Sequence, residues 1–263
     1  GAEANETAIK ICQATRRRKG EFLKRRTICF KDAFHGRTLG ILPCTNSKPE
    51  TQRDPFWNAC DRENTIYLPY PKKGTSPRLF EDYFHDINPA TIDRLIIELP
   101  CQGEGGIIPA DEAAVRVIYD QTREHNIFFI VDAIQCGMGR AGHLFGCDPL
   151  YWGWLAPDIL TLGKALGGGL PIGVAIFRAE LDFEKSGMHS STFGGGPLVM
   201  RTGLRVFGEI ENLILANTVG LLQTRMHHSL TELEKKFPHI VTETRGVGAM
   251  WAHEIVNAET RDS

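Results

Sequence analysis

No apolar run in the sequence approaches the roughly 20 residues needed to cross a bilayer, and its opening residues lack the order of a secretory signal. We therefore expect no membrane association and no export. Neither charge sign is in excess: 30 Lys and Arg stand against 32 Asp and Glu, a net charge of −2. A nucleic-acid-binding domain would usually be basic, so nucleic acid is not an expected partner. The seven cysteines, at positions 12, 29, 44, 60, 101, 136 and 147, are odd in number and contain no CxxC pair. That excludes a disulfide framework and points to reduced thiols in a cytoplasmic protein. Cys136, His143 and Cys147 have no fourth partner at suitable spacing, so their proximity is read as chance and no metal is expected. Internal repeats and low-complexity segments are absent too.

What is present is ordinary globular composition, 42% hydrophobic and 24% charged over 263 residues, enough for one large α/β domain or two small ones. The basic cluster Arg16-Arg17-Arg18-Lys19 reads as the solvated C-terminal end of a helix. That helix starts near Gly1, with Ala4, Ala8, Ile11 and Cys12 at helical spacing. A helix N-terminus presents free N–H groups, and Gly1 sits where a phosphate could be held. Arg26 to Phe34 alternates as a strand and runs into Phe34-His35-Gly36-Arg37, well placed at a strand end for a ligand. Asn46 to Lys73 reads as loop, with a short strand at Thr65 to Leu68. A strand at Asp93 to Leu99 breaks at Pro100 and enters Gln102-Gly-Glu-Gly-Gly106.

The spacing predicts a helix over Asp111 to His125 and a fully buried strand over Ile127 to Val131, ending in Asp132. A second apolar run, Ile159, Leu160 and Leu162, carries Lys164 into a block of glycines. Ile172 to Phe177 is a further strand. Helical patterns follow from about Leu198 to Lys236, with Val219, Leu222, Met226, Leu230 and Leu233 on one face. His239 to Ile255 alternates like an edge-strand pair. This rhythm predicts a three-layer α/β/α fold on a mostly parallel sheet, whose ligands sit at the carboxyl ends of the strands. Asp132 and Lys164 both lie at such ends. A charged lysine buried there would be costly, so it should shed its proton and act as a nucleophile; a lysine that snorkels to the surface is the blander reading. Gly137-Met-Gly-Arg-Ala-Gly142 matches GxGxxG, but His143-Leu-Phe-Gly-Cys-Asp-Pro149 does not continue as the helix a dinucleotide fingerprint needs.

A strand-end lysine, a strand-end aspartate, a phosphate cup and an aromatic ring together suit pyridoxal phosphate. The lysine forms a Schiff base with its aldehyde, and a carboxylate keeps the pyridine nitrogen protonated. Lys164, Asp132, Gly1 with Ala2, and Phe34 supply the four parts, although Asp132 alone could be a turn cap and Phe34 alone a core residue.

GAEANETAIK, FHGRTLG, QGEGG, VDAIQCGMGRAG, PDILTLGKALGGGLPIG and HSSTFGG follow one another in an order that resembles the class III pyridoxal-phosphate-dependent aminotransferases. This is the family of acetylornithine, ornithine and 4-aminobutyrate aminotransferases, and the resemblance covers nearly the whole chain. It implies a fold-type I cofactor domain, and an enzyme moving an amino group from an amino acid or ω-amine to a 2-oxo acid such as 2-oxoglutarate. It also implies that Lys164 is the Schiff-base lysine and proton carrier, and that Asp132 partners the pyridine nitrogen. Gln135 would contact the ring hydroxyl. Phe34 would stack on the ring with His35 beside it, and Gly1 and Ala2 would hold the phosphate. Ser191 and Thr192 would reach the phosphate of a neighbouring subunit in a homodimer. Glu104 and Arg37 would lie near the substrate.

Three positions depart from the family pattern: Leu99 and Ala133 stand where Glu is usual, and Gly196 where Asn is usual. Two carboxylates near Asp132 are thereby expected to be missing. The resemblance further implies a piece cut at both ends, with a cofactor domain over residues 1–238 and the start of a smaller domain over 239–263. Such a piece should expose apolar patches. A racemase or aminomutase on the same scaffold, or a non-catalytic remnant of such an enzyme, are the alternative readings.

Overall fold

The runs that read as buried strands lie side by side in one sheet. The computed structural model describes residues 1–59, 61, 63–148 and 153–256; Cys60 and residues 257–263 of the expected smaller domain lie outside them. The main sheet has six strands in the order β2-β1-β3-β6-β7-β8. They are β1 (Arg26–Phe30), β2 (Thr65–Leu68), β3 (Ile92–Glu98), β6 (Phe128–Asp132), β7 (Ile159–Gly163) and β8 (Gly173–Phe177). Every pairing is parallel except β7 with β8, which is antiparallel with Gly163 opposite Gly173. Cys101–Gln102 (β4) and Ile108–Pro109 (β5) form a two-stranded antiparallel ladder beside it.

All residues of β3, β6 and β7 are buried, as expected of parallel strands covered on both faces. The period of two divides them. Ile96, Ile130 and Ile159 pack with Ala8, Ile11 and Cys12 of helix α1 (Ala2–Arg18). Leu95, Ile97, Phe129 and Val131 face the other way. They pack with Phe80 and Phe84 of helix α3 (Arg78–Asp86) and with Ala114, Val115 and Ile118 of helix α4 (Glu112–Glu124). A single turn of helix, α2 (Pro49–Gln52), interrupts the long loop. The layers are therefore α/β/α, and each fully buried Leu, Ile or Phe adds about 1.5 to 3 kcal/mol over leaving it in water.

Arg16 is not solvated as the basic cluster suggested. It is 2% exposed, pairs with Asp93 at 2.9 Å, and lies 4.0 Å over the Phe128 ring, while Arg17 and Arg18 are exposed. One turn of helix faces both inward and outward, so only the residue on the sheet side is drawn into the core. β1 stops at Phe30, short of Phe34, because Asp32 turns the chain at φ 63°. The long helical pattern is two helices, α5 (Pro197–Leu215) and α6 (Thr218–Lys236), separated at Asn217 with φ 54°. The apolar face expected on α6 is largely uncovered, with Leu222 45% and Leu233 44% exposed. The edge-strand pair is the antiparallel hairpin β9 (Val241–Val247) and β10 (Met250–Ile255), tied down by Arg245 Nε donating to Gly106 O at 2.9 Å. Gly137 to Cys147 runs as turns and bends. Among the described residues no helix is long and apolar enough to cross a membrane.

Candidate active site

β6 and β7 end beside each other, with Asp132 opposite Thr161 in register and Lys164 three residues further on. The Asp132 carboxylate is 4% exposed and has three donors. Its Oδ2 accepts from Asn5 Nδ2 at 2.7 Å and from His35 Nδ1 at 2.8 Å, and its Oδ1 accepts from the Ile134 N–H at 3.0 Å. Asn5 spends its second amide hydrogen on His35 O at 2.7 Å and accepts the Thr161 hydroxyl at 2.7 Å. The Thr45 hydroxyl accepts the His35 N–H at 3.1 Å and donates to Gly36 O at 2.6 Å. A carboxylate is acceptor-only, so this pairing assigns the His35 proton to Nδ1. Burial pushes the His35 imidazole down, but the hydrogen bond and charge of Asp132, with Glu98 behind it, raise it overall above its ordinary value.

Glu98, which ends β3, lies opposite Asp132 on the neighbouring strand. Its Oε1 accepts the Phe34 N–H at 2.9 Å and its Oε2 the Gly103 N–H at 3.0 Å. Burial pushes its carboxyl up to about 7, with Asp132 adding, while the His35 charge and the two N–H bonds pull the other way. The expected shortage of carboxylate beside Asp132 is thus only partial. Leu99 and Ala133 are buried apolar residues, and Glu98, one position before Leu99, supplies a carboxylate instead.

Two glycines close the site. A Cβ at Gly103 would stand 2.2 Å from Gln135 Oε1, so the Gln135 amide lies directly on that backbone. Gly36 has φ 136°, and a Cβ there would meet the Ala2 Cβ at 2.6 Å, which seats the His35 segment against the start of α1. Gly1, the N-cap of α1, offers no side-chain acceptor to the first turn. Gly1 lies against the end of β7, where a Cβ at Gly163 would stand 3.6 Å from the Gly1 Cα.

Lys164 is exposed, which departs from the expected burial. β7 ends at Gly163, and Lys164 takes a left-handed φ of 43° that turns it out of the sheet. That conformation costs a residue with a Cβ about 1 to 2 kcal/mol, a strain of the kind that collects at functional sites. Phe34 is half-buried with the Arg37 guanidinium 5.7 Å from its ring centre, and Arg37 and Glu104 are exposed at the rim. Ser191 and Thr192 are exposed on the segment before α5. His189 docks that segment on α1, 3.0 Å from both Thr7 Oγ1 and Lys10 Nζ, so neither residue is drawn to Asp132.

Sequence reasoning missed Asn5, Thr45, Glu98 and Thr161. For Asn5 a signal existed, since it is the one amide on the Ala4–Ala8 stripe of α1. The structure thus gathers Asp132, His35, Gln135, Phe34, Gly1, Ala2 and Lys164 around the ends of β6 and β7. It has a fixed acceptor at one side, an uncapped helix terminus between, and an amine at the mouth.

A family model described as aminotransferase class-III matches residues 1–263. The chain is 34% identical over 260 residues to the acetylornithine aminotransferase of Synechocystis sp., an alignment covering 97% of this chain and 57% of that protein. Its fold matches an (S)-enantioselective omega-transaminase from Thermomicrobium roseum with a TM-score of 0.86 at 27% identity, covering 99% of this chain and 60% of that one. It also matches the ornithine aminotransferase from Toxoplasma gondii, in which PLP partially occupies the active site, with a TM-score of 0.83 at 28% identity over 97% of this chain and 57% of that one. The chain thus spans a little more than half the length of these proteins, and it belongs to the class-III aminotransferase family.

Proposed function

We propose that this chain carries the cofactor half of a pyridoxal-phosphate-dependent aminotransferase. The enzyme would move an amino group from an amino acid or ω-amine to a 2-oxo acid such as 2-oxoglutarate. The carrying observation is the buried Asp132, held by Asn5 and His35, beside the strand that delivers Lys164. The residues suit the cofactor. The uncapped N–H groups of α1 suit a phosphate, and Asp132 Oδ1, which accepts from the Ile134 N–H, can also accept from a ring nitrogen. When bound, pyridoxal phosphate supplies an aldehyde for the lysine and a ring that withdraws electrons from the substrate carbon.

The chain's own residues do the rest. Asp132 holds positive charge at the ring nitrogen, and His35 and Asn5 fix its orientation. Gln135 and Phe34 would help to hold the ring. The Lys164 amine carries a proton to and from the reacting carbon. Arg37 and Glu104, both exposed at the rim, are placed to meet substrate.

A homodimer is part of the proposal. It is supported by the exposed Ser191, Thr192 and Phe193, and by the exposed apolar residues Leu198 and Leu204 of α5. We put the domain boundary after residue 238, a reading supported by the β9–β10 hairpin, which opens shortly afterwards at Val241 and forms a separate sheet. A cytoplasmic location is supported by the six described cysteines, all buried and free.

Borohydride trapping tests the reading. The chain is mixed with pyridoxal phosphate, reduced, digested and mapped. A pyridoxyl mass confined to Lys164 is expected. A label spread over surface lysines, or none, would remove the proposal for this chain.

A further inference from the structure

We infer that Glu98 is a positioning residue of this site: its buried carboxylate bridges the Phe34 and Gly103 backbone amides and holds together the two segments that flank Asp132. The role of those segments rests on the aminotransferase reading; the bridge itself does not.

Phe34 opens the segment whose next residue, His35, bonds Asp132, and Gly103 is the surface on which the Gln135 amide lies. The two amides belong to chain segments far apart in sequence, and Glu98 touches both, at 2.9 Å and 3.0 Å. Its own strand is pinned from behind by the Tyr70 hydroxyl donating to Glu98 O at 2.8 Å. A shift of this one carboxylate would therefore be felt at His35, and so at Asp132, and at Gln135.

The bridge also depends on charge. An ionised carboxylate accepts at both oxygens, whereas a protonated one turns one oxygen into a donor, which then faces another N–H. The groups that face Glu98 are His35 on the β1 side, Asp132 on β6, the Tyr70 hydroxyl and the Cys136 thiol. Burial dominates among these effects and raises the carboxyl to about 7, so the bridge opens and closes within the ordinary working range. Above that pH both segments are held; below it one is released.

The test uses the full chain without cofactor, labelled with nitrogen-15, its Phe34 and Gly103 amide signals followed from about pH 5.5 to about pH 8.5. Both signals should move with one midpoint near 7. In Glu98→Gln that step should vanish from both, while the separate step of His35 persists. Pyridoxal phosphate affinity is then measured on both proteins. Glu98→Gln, which offers an N–H where an acceptor is needed, should bind on the order of tenfold more weakly, without the wild-type weakening below pH 7. Amides that do not move with pH, or that move alike in the variant, would overturn the inference. If the variant does not fold, the wild-type titration alone decides. Failure of the wild type to bind pyridoxal phosphate would count against the aminotransferase reading of this chain, and the amide midpoint would still decide the bridge.

Discussion

The two ends of the site are built to different standards. At the carboxylate end, Asp132, His35, Asn5 and Thr161 are each less than 5% exposed, and the partners of Asp132 come from α1, the segment after β1 and the turn that follows its own strand. At the lysine end, Lys164 stands exposed in a left-handed turn, and Ser191 and Thr192 are exposed on a separate segment. The first end is completed by this chain alone, because a buried charge must bring its partners with it. The second is open to solvent. A group that must be released and recaptured by substrate gains from such freedom, and a group that must hold one charge state gains from rigidity.

The contrast can be broken by mutation. Asp132→Ala should cost about 4 kcal/mol of stability in urea unfolding, because it strands the Asn5 and His35 donors in a buried site. A loss under about 1 kcal/mol would mean that the network does not hold this end together.

A pH series sharpens the same point. Glu98 rises from 4.5 to about 7 on folding, so the folded chain binds more protons than the unfolded chain between those values. Stability should fall as pH rises through that window, by about 3 kcal/mol from this group, and then level off. His35, also raised, pulls in the same sense just above its ordinary 6.5. Thermal melts that show no such decline, or the same decline in Glu98→Gln, would contradict this assignment.

Asn5→Ala should cost about 2 kcal/mol, since it leaves the Thr161 hydroxyl without its acceptor and removes one donor from Asp132. The smallest effect belongs to the lysine end. Lys164→Gly should stabilise the fold by up to about 1 kcal/mol by relieving the left-handed strain, while abolishing borohydride trapping. A Lys164→Gly chain that unfolds more easily than the wild type would show that the lysine end is as tightly built as the other.

Much of this was legible in the sequence. The largely apolar runs of β6 and β7 announced buried strands, and the residue types at their ends, Asp132 and Lys164, announced the chemistry. What stayed hidden was whatever depends on which neighbour a residue meets. Asn5 lies on a helix stripe that reads as apolar, and its purpose appears only when β6 brings Asp132 beneath it. Glu98 was overshadowed by the departure at Leu99, because a linear pattern does not show that the preceding residue ends the strand facing Asp132. Lys164 was expected to be buried because the run before it is, yet a single left-handed residue reverses that. Arg16 failed the other way, drawn from an apparently solvated cluster onto Asp93 and Phe128.

The reversed last strand has a mechanical consequence. Because β8 runs antiparallel to β7 with Gly163 opposite Gly173, the stretch from Lys164 to Ile172 leaves the mouth and returns to it, like a lasso with both ends knotted to the same post. Length added at the tip of the lasso, near Gly169, changes the loop without pulling on either knot. The amine keeps its anchorage while the apron around it varies, so related chains could reshape the rim of the site here and leave its reacting end where it stands.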